Sequence, residues 1–314
     1  MLQRILGVSG LKVSRLCFGT LPLGPLQKNF QPDAAAALLL EAYCRGISFF
    51  DTAELYDTYS LLRPALRQAP EMVIASRSYA VSGAAMAASI EKARHELDRD
   101  YIDIFGLHEI ESGATLRGHA GALEYLQKAK ALGLIKAIAV STHTVAGVRA
   151  AAAEPAIDII HPLLNREGMG IKDGTAAEMI AALTTAREFG KGVYAMKILG
   201  GGHLGGTARA AFRFINELDC VDAVAVGMQS GAEILLNLAL IAGEEAPPGL
   251  AEKVAATTRS LMVASWCSGC GQCVSKCSFQ ALQLENGRVQ VDREHCLQCG
   301  YCARACPDFC LKIY

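Results

Sequence analysis

Short apolar runs alternate with longer stretches of helical periodicity through most of the chain. The runs fall at Leu16–Thr20, Ser48–Ala53, Val73–Tyr79, Ile102–His108, Ile135–His143, Ile157–Asn165, Val193–Leu199 and Val221–Met228, and predict eight strands. Between them, Asp33–Arg45, Ala84–Leu97, Ala122–Leu132 and Thr175–Phe189 carry helical patterns, with Gly46, Gly133 and Gly190 where three of them stop. Pro64 interrupts the pattern after the second run. Ahead of the first run, Ser9-Gly10 places turn chemistry between two apolar stretches and predicts a short hairpin.

Nearly continuous apolar strands separated by single helices predict a parallel sheet covered on its faces. Eight such units in roughly 250 residues have the dimensions of an α/β (β/α)8 TIM barrel. An open doubly wound sheet is the competitor, but no GxGxxG follows the first strand. In a barrel the chemistry gathers at the C-terminal ends of the strands. That draws attention to Asp51, Arg77, His108, His143, Asn165 and the glycines after Leu199.

Glu244–Pro248 (EEAPP) reads as a linker, and Leu250–Met262 predicts a further helix. Strand eight should end at the catalytic face, so helix Gly231–Ala242 runs down the barrel. A helix over Leu250–Met262 would be about 20 Å long at 1.5 Å per residue and would climb back up. The segment that follows would then sit on the rim beside Tyr56. The domain plan is residues 1–243, a connecting segment 244–263, and a small module 264–314.

Cysteine changes the picture at that module. Of 12 cysteines, eight lie between Cys267 and Cys306, whereas Cys17, Cys44 and Cys220 are scattered through the barrel portion. Disulfide scaffolds are short and cysteine-dense throughout, so this localised set marks a metal module. Cys267-x2-Cys270-x2-Cys273-x3-Cys277 recurs as Cys296-x2-Cys299-x2-Cys302-x3-Cys306-Pro307. Three cysteines spaced by two residues wrap one corner of a cubic cluster, and the fourth points elsewhere. Zinc would call for isolated CxxC pairs. Between the runs, Asn286-Gly287 is a strong hairpin signal. Cys310 reads as a packed thiol near the second cluster, and His295 as a surface residue.

The module resembles the bacterial two-[4Fe–4S] ferredoxins over about the last 50 residues, which implies a small C-terminal ferredoxin-like α+β domain. The resemblance implies crossed ligation: Cys267, Cys270, Cys273 and Cys306 on one cluster, and Cys296, Cys299, Cys302 and Cys277 on the other. Ser278 stands where that family usually has proline.

Asp51-Thr52-Ala53-x-x-Tyr56 closes the second strand, Arg77 the third and His108 the fourth. An unperturbed phenol, with a pKa near 10, needs a neighbouring cation to work at neutral pH. A carboxylate holds that cation, and a histidine orients the substrate oxygen. This constellation resembles the aldo-keto reductases, over roughly residues 1–243, through LGVSGLKVSRLCFGT, DTAELY, YIDIFGLH and AVSTH. The resemblance implies catalytic roles for Asp51, Tyr56 and His108, with Arg77 in place of the family's lysine. Arginine keeps the cation and adds a planar fork, so it either polarises Tyr56 or grips a substrate carboxylate. The resemblance further implies NAD(P)H as a candidate cofactor. Ser141 and Asn165 would lie at the nicotinamide carboxamide and Asn237 at the adenine, with Gly200, Gly201 and Gly202 as a backbone nest for phosphate. Gly227–Glu233 lacks the Lys and Arg with which the family clamps the 2′-phosphate.

Composition narrows the classes. The chain has 314 residues, 52% hydrophobic and 19% charged, with a formal net charge of −1. That excludes wholesale disorder and gives no basic excess for nucleic acid or anionic membrane. Its most apolar stretches, Ala34–Leu40 and Ile234–Ile241, are too short to span a bilayer, and MLQRILGVSG lacks a signal-peptide core, so a cytoplasmic location is expected. The leading expectation is an iron–sulfur oxidoreductase of anaerobic type that reduces a small carbonyl or conjugated substrate. The slightly basic module would suit an acidic external donor such as a ferredoxin. The alternatives are an NAD(P)H-dependent carbonyl reductase with a structural or docking ferredoxin domain, and an electron-transfer adaptor with no catalysis of its own. Nicotinamides deliver electron pairs and clusters single electrons, and no flavin signature stands out to convert between them.

Overall fold

The computed structural model describes residues 2–256 and 259–314. Strands β1 (Gln3–Ile5) and β2 (Lys12–Ser14) form the expected antiparallel hairpin. Eight parallel strands then close a barrel: β3 (Leu16–Gly19), β4 (Phe49–Asp51), β5 (Val73–Ser78), β6 (Ile102–Leu107), β7 (Ile135–Thr142), β8 (Ile159–Pro162), β9 (Gly192–Met196) and β10 (Ala223–Gly227). Each lies within one of the eight apolar runs, apart from Gly192 one residue early. Closure comes from β10 pairing with β3, Val224 opposite Leu16.

Strand periodicity divides the core in two. Phe18, Phe50 and Ile74 face outward into the large layer shared with the helices, whereas Cys17, Phe49, Ala75, Ile104 and Ile159 fill the barrel interior. Leu6 and Val13 from the hairpin join the interior set and plug the barrel's lower end. Helix Tyr59–Gln68 runs through Pro64 without breaking, because its burial of Leu61, Leu62, Ala65 and Leu66 outweighs one missing backbone donor.

One expected element changes. The helix beginning at Leu250 ends at Ala255, and Leu261–Val263 is a strand, β11. Thr257 and Thr258, which fall inside the expected helix, lie outside the described residues. Strand β11 pairs antiparallel with the C-terminal strand β14 (Leu311–Ile313), Leu261 opposite Ile313, so a tertiary ladder wins over local helical pattern. The pairing also groups Leu261–Val263 with the module. Within the module, β12 (Leu282–Glu285) and β13 (Arg288–Val291) form the hairpin signalled by Asn286-Gly287, both of which take positive φ (49° and 73°).

Module and barrel pack against each other. Leu163, Met169, Met196 and Leu204 from the barrel's C-terminal end share one apolar cluster with Leu261, Leu282, Phe309 and Leu311. The module therefore sits on the catalytic face, as expected, although the connection is not a long ascending helix. Among the described residues, no helix is long and apolar enough to cross a membrane.

Candidate active site at the barrel mouth

The alternation that fills the barrel also aims its chemistry. Phe49 points inward, so Asp51 points inward one layer higher; Ala75 and Arg77 repeat the relation on β5, and Ile159 and His161 on β8. Arg77 Nη1 donates to Asp51 Oδ1 at 2.6 Å. Its Nη2 donates to Asp51 Oδ2 at 3.1 Å and to the Tyr56 hydroxyl at 2.7 Å. Tyr56 lies on the single 3-10 turn Glu54–Tyr56 just beyond β4. Tyr194 donates its hydroxyl to Asp51 Oδ1 at 3.2 Å, and the His161 ring stacks on Tyr194 with centroids 3.9 Å apart. The carboxylate is thus held by a fork on one side and a phenol on the other.

Electrostatics assign protonation states. Burial alone would lower the Arg77 pKa, but Asp51, Tyr56 and Tyr194 together raise it well above its ordinary value, so it stays cationic. Burial pushes the Tyr56 phenol up against the opposing pull of Arg77. The phenol therefore keeps its proton at neutral pH, and because its oxygen accepts from Arg77, its hydrogen can turn into the cavity. His108 stacks on Tyr79 (4.2 Å) and meets the edge of Tyr56 (6.1 Å). Burial, then Arg77, hold its pKa well below the usual value, so it is neutral; its buried Nδ1 has no hydrogen-bond partner among the described residues. With the guanidinium fork engaged by Asp51, polarising Tyr56 is what Arg77 can do here, rather than gripping a substrate carboxylate.

The residues expected at a nicotinamide are placed differently. Ser141 is buried and its Oγ accepts from the Glu109 amide at 2.9 Å. Asn165 is fully buried, donating to the Met169 carbonyl at 2.8 Å and accepting from the Met169 amide at 2.9 Å; it pins the loop after β8. Neither lines the cavity, whereas Asn237 does. Three amides of the glycine loop are spent internally: Gly200 N–H donates to the Lys197 carbonyl at 2.8 Å, and Gly202 and Leu204 N–H both donate to the Leu199 carbonyl at 3.0 Å. It is also covered by the module, since a Cβ on Gly202 would collide with the Ile313 backbone. Those three amides already have acceptors.

One cavity of about 960 Å³ opens above Asp51, Tyr56, Arg77 and His108. Its opposite wall comes from the module, through Trp266, Ser268, Asp308, Phe309 and Lys312. Lys197, just beyond β9, also lines it. Sequence reasoning misses Lys197, His161 and Tyr194 as site residues. A lysine at the end of an apolar run is a readable signal, and His161 shares the inward parity of Ile159. Lys312 reads in the sequence only as module charge.

The cysteines of the two runs gather within the module. Cys277, Cys296, Cys299 and Cys302 line one small void. Burial first, then Cys306, Cys267 and Cys270, raises the Cys273 pKa, and Cys302 in turn feels Cys273, so the thiols of both runs lie within electrostatic reach of one another. Among the described residues, no three His, Cys, Asp or Glu side chains are placed to hold a single metal ion. Backbone N–H groups of Ala281 and Cys310 donate to Cys277 and Cys306 sulfur, both at 3.3 Å. The residues fit iron–sulfur clusters. Cys310 is a packed, buried thiol whose sulfur lies 3.3 Å from that of Cys306, the last cysteine of the second run.

A closed parallel barrel carries a buried carboxylate–guanidinium–phenol chain at its mouth and is joined to a cysteine module. The aldo/keto reductase family model matches residues 15–245, and a 4Fe-4S dicluster domain model matches residues 261–307. The chain belongs to the aldo/keto reductase family and carries a 4Fe–4S dicluster domain at its C-terminal end. It is 32% identical over 151 residues to L-galactose dehydrogenase of Arabidopsis thaliana, covering 44% of this chain and 47% of that one. It is 29% identical over 221 residues to a probable aldo-keto reductase 1 of Glycine max (64% and 60%). It is 32% identical over 147 residues to one component of the Na+-translocating ferredoxin:NAD+ oxidoreductase complex of Acetobacterium woodii (42% and 44%). The chain spans about half the length of these curated relatives. A putative aldo-keto reductase structure from Pseudomonas aeruginosa superposes with TM-score 0.66 at 27% identity, covering 77% of this chain and 94% of that one. Aldo-keto reductase AKR11C1 from Bacillus halodurans, holo form, gives 0.65 at 20% identity (81% and 96%), a likeness of fold alone.

Proposed function

We propose that this chain is an iron–sulfur oxidoreductase that reduces a small carbonyl or conjugated substrate at the barrel mouth, electrons arriving through two [4Fe–4S] clusters. The shared cavity carries this reading: Tyr56, Arg77 and His108 form one wall, and residues flanking Cys267 and Cys306 form the other. Reducing a carbonyl to an alcohol takes two electrons and two protons. When bound, the clusters supply single electrons, one each. Tyr56 gives a proton to the substrate oxygen, and Arg77 stabilises the phenolate left behind. His108, neutral and lining the cavity, offers that oxygen a second hydrogen bond from its ring. The proton for carbon enters from water at the mouth.

The proposed ligands are Cys267, Cys270, Cys273 and Cys306 for the inner cluster, and Cys296, Cys299, Cys302 and Cys277 for the outer. Exposed Phe279, Leu297 and Tyr301 surround the outer set, where an external donor such as a ferredoxin would dock. Family membership favours NAD(P)H as the electron source instead, while the inward-turned amides of Gly200, Gly202 and Leu204 count against it.

Anoxic protein reduced by dithionite should convert benzaldehyde to benzyl alcohol without nicotinamide. Tyr56→Phe should slow this at least about a hundredfold while iron content and visible absorption stay unchanged. Alcohol formed only with NADPH or NADH would replace this reading with the conventional carbonyl reductase.

A further inference from the structure

Six cations line the cavity, and four are committed to other groups. Arg77 is held by Asp51, Arg259 lies 3.4 Å from Glu233, Lys172 pairs with Glu111, and Arg288 donates to the Ala264 carbonyl at 3.1 Å. Lys197 and Lys312 remain, and among the described residues neither contacts a carboxylate. Lys197 Nζ donates to His143 Nε2 at 2.7 Å, and Lys312 Nζ donates to the Phe309 carbonyl. An ammonium has three donors, so each keeps some to spare.

The two ammoniums converge on one place from different domains. Lys197 lies 5.5 Å and Lys312 3.2 Å from the centroid of the same Phe309 ring. Burial first, then Lys197, lowers the Lys312 pKa well below its ordinary value, while burial brings Lys197 down to about 8. Two like charges facing one desolvated spot are unfavourable until an anion joins them. Glu109 lies 3.4 Å from His143 and acts on both lysines through space without touching either. The backbone supports the arrangement at a cost: Lys197, Glu109 and Phe309 all take left-handed φ (59°, 55° and 45°), and strain of this kind collects at functional sites.

We propose that Lys197 and Lys312 form a subsite for the substrate's carboxylate, so that the substrate class is a small carbonyl compound bearing one carboxylate. A single carboxylate suits the pair, because Lys197 and Lys312 are the lining lysines that, among the described residues, contact no carboxylate. The Arg77 fork, already filled by Asp51, leaves this pair as the place for that group. Because Lys312 and Phe309 belong to the module, the subsite is complete only when the module is docked. The inference rests on the proposed function only for the fate of the carbonyl; binding of the carboxylate stands apart from turnover.

The test is anoxic titration calorimetry on the oxidised, cluster-loaded full chain with 4-carboxybenzaldehyde and with neutral 4-methylbenzaldehyde. Wild type should bind the carboxylated probe at least about tenfold more tightly. Lys197→Met and Lys312→Met should each erase that preference, leave affinity for the neutral probe within about twofold and retain the iron–sulfur absorption. Lys197→Arg should restore most of it. Equal affinity for the two probes, no binding of the carboxylated one, or an unchanged preference in both variants overturns the proposal. So does tight NADPH or NADH binding that both variants weaken, which would give the lysines to a dinucleotide phosphate. Benzyl alcohol formation by reduced wild type reports separately on the proposed function, so either idea can fail alone.

Discussion

The barrel buries apolar side chains on both faces of eight strands, whereas the module has four strands of three or four residues and a core that is partly borrowed. Four barrel residues, Leu163, Met169, Met196 and Leu204, complete that core, and Cys273 and Cys302 are among its buried members. About 50 residues rarely bury enough apolar surface to fold alone, and metal commonly makes up the deficit. The barrel can therefore tolerate a costly buried ion pair at its mouth, while the module depends on ligands and on its neighbour.

The largest expected effect breaks the comparison most directly. Removing iron anoxically with a chelator should abolish amide-exchange protection across residues 261–314 while β3 to β10 stay protected. Protection persisting through the module in iron-free protein would mean that its apolar packing suffices. Next comes the barrel's own liability. Asp51 and Arg77 are each 3% exposed, so Arg77→Met should lower stability by about 3–5 kcal/mol, read as a denaturant midpoint, by stranding a buried carboxylate. Adding Asp51→Asn should recover part of the loss. A midpoint unchanged by Arg77→Met would show that Asp51 is satisfied without its cation.

The smallest effect sharpens the picture through pH. Burial, only partly opposed by Asp51, brings the His161 pKa down to about 3. Its unfolded value is near 6.5, so between those values the unfolded chain binds the proton and the folded one does not. Stability is full above pH 6.5 and falls as pH drops toward 3, by up to about 1.4 kcal/mol per unit from this group. Lowering pH from 7.5 to 5.5 should shift the wild-type unfolding midpoint more than that of His161→Gln. Equal shifts would remove His161 from the balance.

Much of the site was legible because it follows periodicity. Asp51, Arg77 and His108 end apolar runs, and in a parallel barrel the ends of runs are the mouth. The cysteine spacing was legible because cluster geometry needs adjacent ligands close in sequence. Less legible were residues defined by what they meet. Ser141 and Asn165 stand at strand ends, yet their polar atoms are taken by the Glu109 and Met169 backbones. The Gly200–Gly202 segment has the composition of an anion nest, yet the Gly200 and Gly202 amides close on Lys197 and Leu199. The helix expected over Leu250–Met262 gave way at β11, whose partner lies 50 residues further on.

The amino-acid order by itself determined the eight strands, the polar groups that crown them and the grouping of the thiols, since each depends on neighbours within a few residues. Only tertiary structure decided that Phe309 and Lys312 come to rest beside Lys197, and that the chain's last strand covers its glycine loop. Those contacts join residues more than 100 positions apart, and no local propensity encodes which distant surface a buried charge will face.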